Sequence, residues 1–306
     1  MAELLCLGEP MLEFNQQPDG RYLQGFGGDT SNCAISATRQ GASVGCLTHL
    51  GADRFGDDIL RLWAEEGIET AAVRVVETAP TGIYFVTHSA AGHEFTYRRE
   101  GSAASLMSRA DLREEPASSA LAACRILHLS GISQGVSEIA ADAGFAAIEQ
   151  VRSRGGRISY DPNLRLKLWP LDKARSVIHD AMAMCHIALP GLDDAQLLTG
   201  HDQPDDIADF YLALGAEIVA LTLGRNGVLI ATPDQRLTVP SFPVEAVDAT
   251  AAGDTFDGAF LAELLAGRPP FDAARYANAA AALSTQGYGA VAPIPLRTQV
   301  EAFLAG

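Results

Sequence analysis

Apolar positions along this chain fall into two recurring patterns. Short runs rich in Leu, Ile and Val read as strands at Glu3 to Gly8, Ser43 to Leu50, Arg125 to Ser130, Arg157 to Asp161, His186 to Pro190 and Ile218 to Leu223. Between them, apolar residues return at helical spacing. This predicts helices through Ala34, Ile35 and Thr38 to a stop at Gly41, over about Phe55 to Glu66 before Gly67, and near Ser137 to Arg154. The same spacing predicts helices near Lys173 to Met184, Asp205 to Leu214, Ala273 to Thr285 and Leu296 to Leu304. Val247 to Gly267 begins with small residues, places a lone acid at Asp254, and then repeats Phe256, Ala259, Phe260, Leu264 and Leu265 on one helical face before Gly267. One buried face is expected there.

Regular alternation from Arg125 onward predicts a doubly wound α/β fold: a mostly parallel sheet with helices on both faces and ligands at the carboxyl ends of its strands. Thr81 to Ser89 and Glu94 to Arg99 break the alternation. Rich in β-branched and aromatic residues, they flank a turn at Ala90-Ala91-Gly92 and read as a hairpin. With Met11 to Phe14 and Tyr22 to Gln24, they predict a small β-sheet lid, its strands within about residues 11–25 and 81–99 of one domain spanning 1–306. Such a sheet would expose an apolar face, so a homodimer or higher homo-oligomer through the lid is expected.

Composition narrows the partners. Among 306 residues the net charge is -16, which excludes nucleic acid or an anionic membrane bound through a broad surface; an anionic ligand must be caught locally. The N-terminal stretch lacks a basic segment, and no run reaches the ~18 apolar residues of a membrane span. A cytoplasmic protein is expected. Cys6, Cys33, Cys46, Cys124 and Cys185 form no C-x-x-C pair, and no H-x-x-x-H pair exists. Reduced core thiols are therefore expected, with neither disulfides nor structural zinc.

Candidate chemistry gathers in small-residue loops that feed helices. In F-G-G-D-T-S-N, Phe26 to Asn32, the glycines precede the first helix. In D-A-T-A-A-G-D, Asp248 to Asp254, the small side chains leave room for a phosphate at a helix start, where unpaired N–H groups favour an anion. Asp254 could cap its helix or act as a general base. Further strand-end candidates are Asp161, Asn163 and Arg165 in S-Y-D-P-N-L-R and Gly224 to Gly227 in L-T-L-G-R-N-G.

The joint order of these stretches resembles the ribokinase-like (PfkB) carbohydrate kinase family over essentially the whole chain. The two signatures fall at Gly27-Gly28 through Asn32 and at Asp248 to Phe260. Within that family the chain is most similar to 2-keto-3-deoxygluconate kinases, through G-E-P-M-L-E-F, P-T-G-I-Y-F-V-T, Y-R-R-E-G-S-A-A-S, S-Y-D-P-N-L-R-L-K-L-W-P and Y-A-N-A-A-A-A-L. The resemblance implies ATP-dependent phosphorylation of the terminal hydroxyl of a sugar acid, with Asp254 taking the proton and the amides of Ala251, Ala252 and Gly253 steadying the phosphoryl group. It places substrate contacts on Gly27, Gly28, Asn32, Tyr84, Tyr97, Arg99, Arg165 and Asp254. Nucleotide contacts fall on Asn163, Arg165, Thr222, Gly224, Gly227, Ala252, Gly253 and Asn278. Magnesium is implied, with Asp194 reaching it through water, and a monovalent cation could lie near Asp248. A carboxylate substrate in a chain of such negative charge calls for local arginine forks.

Three positions depart from the family pattern. Ala251 stands for the first glycine of G-A-G-D, G-L-D-D at Gly191 to Asp194 stands for N-x-x-E, and Ala249 replaces a frequent threonine. A neutral-sugar kinase such as a fructokinase, or a non-catalytic sugar or nucleotide sensor, remain open alternatives. A dinucleotide-binding oxidoreductase is disfavoured because no G-x-G-x-x-G follows the first strand.

Overall fold

β1 (Leu4–Leu7) is buried at every position and divides its side chains between two cores: Leu4 and Cys6 join one, Leu5 and Leu7 the other. That is how a strand covered on both faces must read. The computed structural model describes residues 1–306 apart from Pro18, Ala90 and Ala91, so the turn expected at Ala90-Ala91-Gly92 falls largely outside the described residues.

The chain continues through β2 (Met11–Gln16), β3 (Tyr22–Gly27), α1 (Asp29–Arg39), β4 (Val44–Gly51), α2 (Arg54–Glu66), β5 (Val73–Val76), β6 (Ile83–Ser89) and β7 (Gly92–Arg98). After α3 (Ala117–Ala123) the expected alternation sets in. It runs β8 (Ile126–Ser130), α4 (Gly131–Gly135), α5 (Glu138–Ser153), β9 (Arg157–Asp161), α6 (Leu171–Met182), β10 (Ile187–Ala188), α7 (Leu192–Thr199), α8 (Pro204–Leu214) and β11 (Ile218–Thr222). β12 (Val228–Ala231), β13 (Arg236–Val239), α9 (Ala252–Leu265), α10 (Pro270–Ser284) and α11 (Arg297–Ala305) complete it.

Among the described residues the large sheet has nine strands in the order β13-β12-β11-β10-β9-β8-β1-β4-β5, parallel from β11 to β5 and antiparallel at β12 and β13. From β1 the chain moves outward through β4 and β5; from β8 it moves the other way to β11. The order reverses between β1 and β8, so the loops leaving their carboxyl ends diverge and open a crevice. α1, α9 and α10 pack on one face, α5, α6 and α8 on the other. The small sheet, order β3-β2-β6-β7, consists of two antiparallel hairpins joined by the parallel pair β2–β6. Met11, Tyr84 and Val86 form its own small core.

Three strands were not in the expected pattern. β5, β12 and β13 have four residues each, and two of them carry an exposed Arg in place of a continuous apolar run. α9 also differs: every residue from Thr255 to Glu263 is buried rather than one stripe, because the helix lies between α1 and α10. All five cysteines are buried and free. Among the described residues no helix is long and apolar enough to cross a membrane.

Candidate active site

The entry to α9 is held in a conformation its sequence does not favour. Ala251 is its N-cap at φ 59° and ψ 16°, left-handed backbone that costs a residue with a Cβ about 1–2 kcal/mol. The preceding loop imposes it. One oxygen of Asp248 accepts the Thr250 amide at 2.9 Å and hydroxyl at 2.6 Å, the other accepts the Gly289 amide at 3.0 Å, and the Ala252 amide turns back to the Ala249 carbonyl at 3.2 Å. Strain persists where neighbours over-determine the backbone. No side chain caps the helix start, and a Cβ on exposed Gly253 would meet nothing within 4 Å. The helix therefore offers an open, uncapped amide end to the crevice.

Asp254 does not cap this helix. Its Oδ2 accepts a hydrogen bond from Asn32 Nδ2 at 2.8 Å, across the packed α1–α9 pair. Burial pushes its carboxyl up to about 7, the negative charge of Asp29 adds to the rise, and the Asn32 hydrogen bond and Arg165 oppose it. Asp161 at the end of β9 and Asp257 one turn along α9 are also raised well above the carboxylate range, first by burial and then by neighbouring acids. A carboxylate that loses its proton near neutrality beside an anion-ready helix start suits general-base chemistry.

The floor of the crevice is a second set of acids. Tyr84 donates to Glu13 Oε2 at 2.6 Å, and a Cβ on Gly27 would lie 2.3 Å from that hydroxyl, so only glycine lets β3 pass. Gly28 sits at φ 102° with the Glu9 carbonyl where its Cβ would be. Buried Glu9 accepts from Arg99 Nε at 2.7 Å and from the Ser102 hydroxyl. Arg99 lies 5.6 Å over the ring of half-buried Tyr97.

The residues expected at the nucleotide divide in two. At the end of β11, Thr222 donates from its amide at 2.9 Å and its hydroxyl at 3.5 Å to the Pro190 carbonyl, and Gly224 just beyond is exposed. Gly227 and Asn278 instead hold the chain after β13: a Cβ on Gly227 would strike the Val239 carbonyl, and Asn278 Nδ2 donates to the carbonyls of Val239 and Pro240 at 3.1 Å each. Asn163, at φ 32°, donates from Nδ2 to Asp29 Oδ2 at 3.0 Å. Arg165 is exposed and reaches Asp194 only at 4.0 Å, while Asp194 Oδ2 accepts the Leu164 amide at 2.9 Å. Among the described residues no three His, Cys, Asp or Glu side chains are grouped to hold a metal. Half-buried Asp194 is an oxygen donor of the kind a magnesium ion takes, directly or through water.

Four further acids at this site, Glu9, Glu13, Asp29 and Asp257, were not among the expected contacts. Only a carboxylate within an otherwise buried apolar stretch, as in L-G-E-P-M-L-E-F, marked any of them in the sequence.

Comparison with known proteins joins these observations. A family model described as pfkB family carbohydrate kinase matches residues 1–297. The chain is 32% identical to a 2-dehydro-3-deoxygluconokinase from Bacillus subtilis, over 99% of this chain and 95% of that protein. It is 30% identical to Fructokinase-1 from Oryza sativa, over 97% of this chain and 96% of that protein. The crystal structure of a PfkB protein from Polaromonas sp. JS666 matches with a TM-score of 0.89 at 30% identity, covering 99% of this chain and 100% of that one.

Proposed function

The chain belongs to the PfkB family of carbohydrate kinases, and from that premise we propose that it transfers the terminal phosphoryl group of ATP to the terminal hydroxyl of 2-keto-3-deoxygluconate, giving 2-keto-3-deoxy-6-phosphogluconate. The observation that carries the reading is Asp254, held by Asn32 beside the uncapped start of α9 with its carboxyl pushed to about 7. The base takes the proton of the attacking hydroxyl as the oxygen–phosphorus bond forms. The amides at Ala252 and Gly253 meet the charge gathering on the phosphoryl oxygens. Asp194 would order the water of a magnesium ion bound with the nucleotide, an ion that would supply further neutralisation of that charge. Asn163, Thr222, Gly224 and Arg165 line the nucleotide side; Gly27, Gly28, Asn32, Tyr84 and Tyr97 line the sugar side.

Arg165 supplies the cation for the sugar-acid carboxylate. Its guanidinium is exposed, with Nη1 on the Leu164 carbonyl at 2.9 Å and on Asp194 only at 4.0 Å, whereas Arg99 is already bound to Glu9. That pairing favours a second reading, a neutral-sugar kinase like the fructokinase relative, because a clamp with one arm neutralised holds a carboxylate less tightly. Purified protein given magnesium, ATP and 2-keto-3-deoxygluconate should release ADP. Turnover of fructose or ribose with none of the acid would replace the first reading by the second. The proposal includes one domain over 1–306 whose small sheet closes on the sugar and pairs with a second copy, through the edge where Tyr22 and Leu23 are 43% and 62% exposed. A monomeric mass by light scattering would remove the pairing.

A further inference from the structure

We propose that Glu9, in the link from β1 to β2, is a positioning residue on which the four chain crossings between the large and small sheets converge, so that it sets where those crossings place the sugar-side residues. The inference rests on the proposed kinase activity, with the sugar lying under the small sheet. Among the described residues the chain passes between the sheets at Gly8 to Pro10, Gly27-Gly28, Thr81-Gly82 and Arg99 to Ser102. Each crossing meets Glu9. The residue is itself part of the first, and it is 2% exposed. Gly28 of the second packs on its backbone: a Cβ there would lie 2.4 Å from the Glu9 carbonyl oxygen and 2.9 Å from Pro10 Cα. Gly82 of the third packs on its side chain, where a Cβ would lie 2.6 Å from Oε1 and 3.2 Å from the carboxyl carbon. In the fourth, Arg99 Nε donates to Oε2 at 2.7 Å and the Ser102 hydroxyl donates to Oε1.

The crossings are also tied to one another and to the large sheet. The Ala103 amide donates to the Pro80 carbonyl at 2.8 Å, joining the fourth to the third. Thr81 donates its amide to Asp53 Oδ2 at 2.8 Å, at the N-cap of α2, and its hydroxyl accepts the Gly51 amide at 3.0 Å. Backbone packed this closely on one side chain cannot shift at a single crossing. Each crossing then leads within a few residues to the site. The Gly28 carbonyl accepts the Asn32 amide at 2.8 Å, and Asn32 holds Asp254. Tyr84 follows Gly82 by two positions, Tyr97 precedes Arg99 by two, and Glu13, on the strand that Glu9 leads into, accepts the Tyr84 hydroxyl. Stability alone does not account for a carboxylate here, because apolar residues of similar volume often serve as well as a buried ion pair. What it adds is direction: its two oxygens receive charge-assisted donors from one crossing while glycines of two others close against it.

Glu9→Ala and Glu9→Gln test this together, read with whichever sugar the parent phosphorylates best. Glu9→Ala should raise KM for the sugar about tenfold with KM for ATP nearly unchanged, and Glu9→Gln, which keeps the shape and an acceptor for Arg99, should recover most of the loss. A lower melting temperature with KM for the sugar unmoved would mean a purely structural role, and that result, or a loss that Glu9→Gln does not recover, overturns the proposal. Should Glu9→Ala not fold, amide hydrogen exchange on Ser102→Ala at neutral pH decides without turnover. The amides of β2, β3, β6 and β7 should lose about tenfold in protection while those of β8 and β9 keep theirs. Equal loss in both sheets, or none in either, overturns the proposal. A parent that phosphorylates no sugar would refute the kinase reading, and the exchange result would still decide whether Glu9 holds the small sheet in place.

Discussion

Two groups of buried and half-buried acids flank one crevice, and they are treated in opposite ways. Under the small sheet, Glu9 is bound by Arg99 and Ser102, and Glu13 accepts from Tyr84. At the edge of the large sheet, Asp29, Asp161, Asp254 and Asp257 have amide partners at most, and the nearest cation is solvent-exposed. Compensated acids act as structural pins. Burial raises the proton affinity of Asp161, Asp254 and Asp257, the setting in which a carboxylate can serve as a base.

The largest effect expected from this contrast is on chemistry. Asp254→Asn should lower kcat by roughly 10²–10⁴ while leaving nucleotide binding intact by calorimetry; a variant within tenfold of the parent would place the base elsewhere. The same change should improve stability. The folded-state value of Asp254, about 7, lies above its unfolded value of 3.8, so the folded protein binds the extra proton between them and loses stability as pH rises through that window. Asp254→Asn should therefore melt higher than the parent above pH 7, with the difference vanishing toward pH 4. In the parent, kcat/KM should fall on acidification through about pH 7.

On the compensated side the effect should appear in stability. Glu9→Leu strands Arg99, whose side chain is 10% exposed, and should cost about 3 kcal/mol as read by denaturant unfolding. An unchanged midpoint would mean the pair contributes nothing. The arginines sharpen the contrast next. Arg165→Ala should raise KM for the sugar acid about tenfold at constant melting temperature, whereas Arg99→Ala should lower the melting temperature because it abandons buried Glu9. Equal KM effects without destabilisation from Arg99→Ala would show both arginines clamping the carboxylate. Smallest is Ala251→Gly, which relieves left-handed strain worth about 1 kcal/mol and should raise the melting temperature by about 2 °C, with kcat nearly preserved.

Much of the frame was legible along the chain. β1, β4, β8, β9 and β11 were visible because burial on both faces demands continuous apolar runs, and α2 ends at Gly67 in the left-handed conformation that stop predicts. β5 and β13 were not, since each is a four-residue edge strand broken by an exposed Arg; β12, V-L-I-A, is apolar and buried throughout yet too short to stand out between the turns around it. At the site, Asp254 stood out as an acid between small residues and an apolar helix, and Ala251 as the place where alanine stands for the family's first glycine.

Sequence by itself determined the alternation, hence the parallel sheet and the strand ends where the site gathers, because periodicity is a local property written in consecutive residues. Tertiary structure decided what each charged group does there. Arg99 and Arg165 look alike in sequence, yet a carboxylate 90 positions away engages one and leaves the other open. Asp254 could have been a cap. What suits it to the proposed role of proton acceptor is α1, 222 positions earlier, which brings Asn32 against it and contributes the charge of Asp29, and such electrostatic neighbours exist only once the chain has folded.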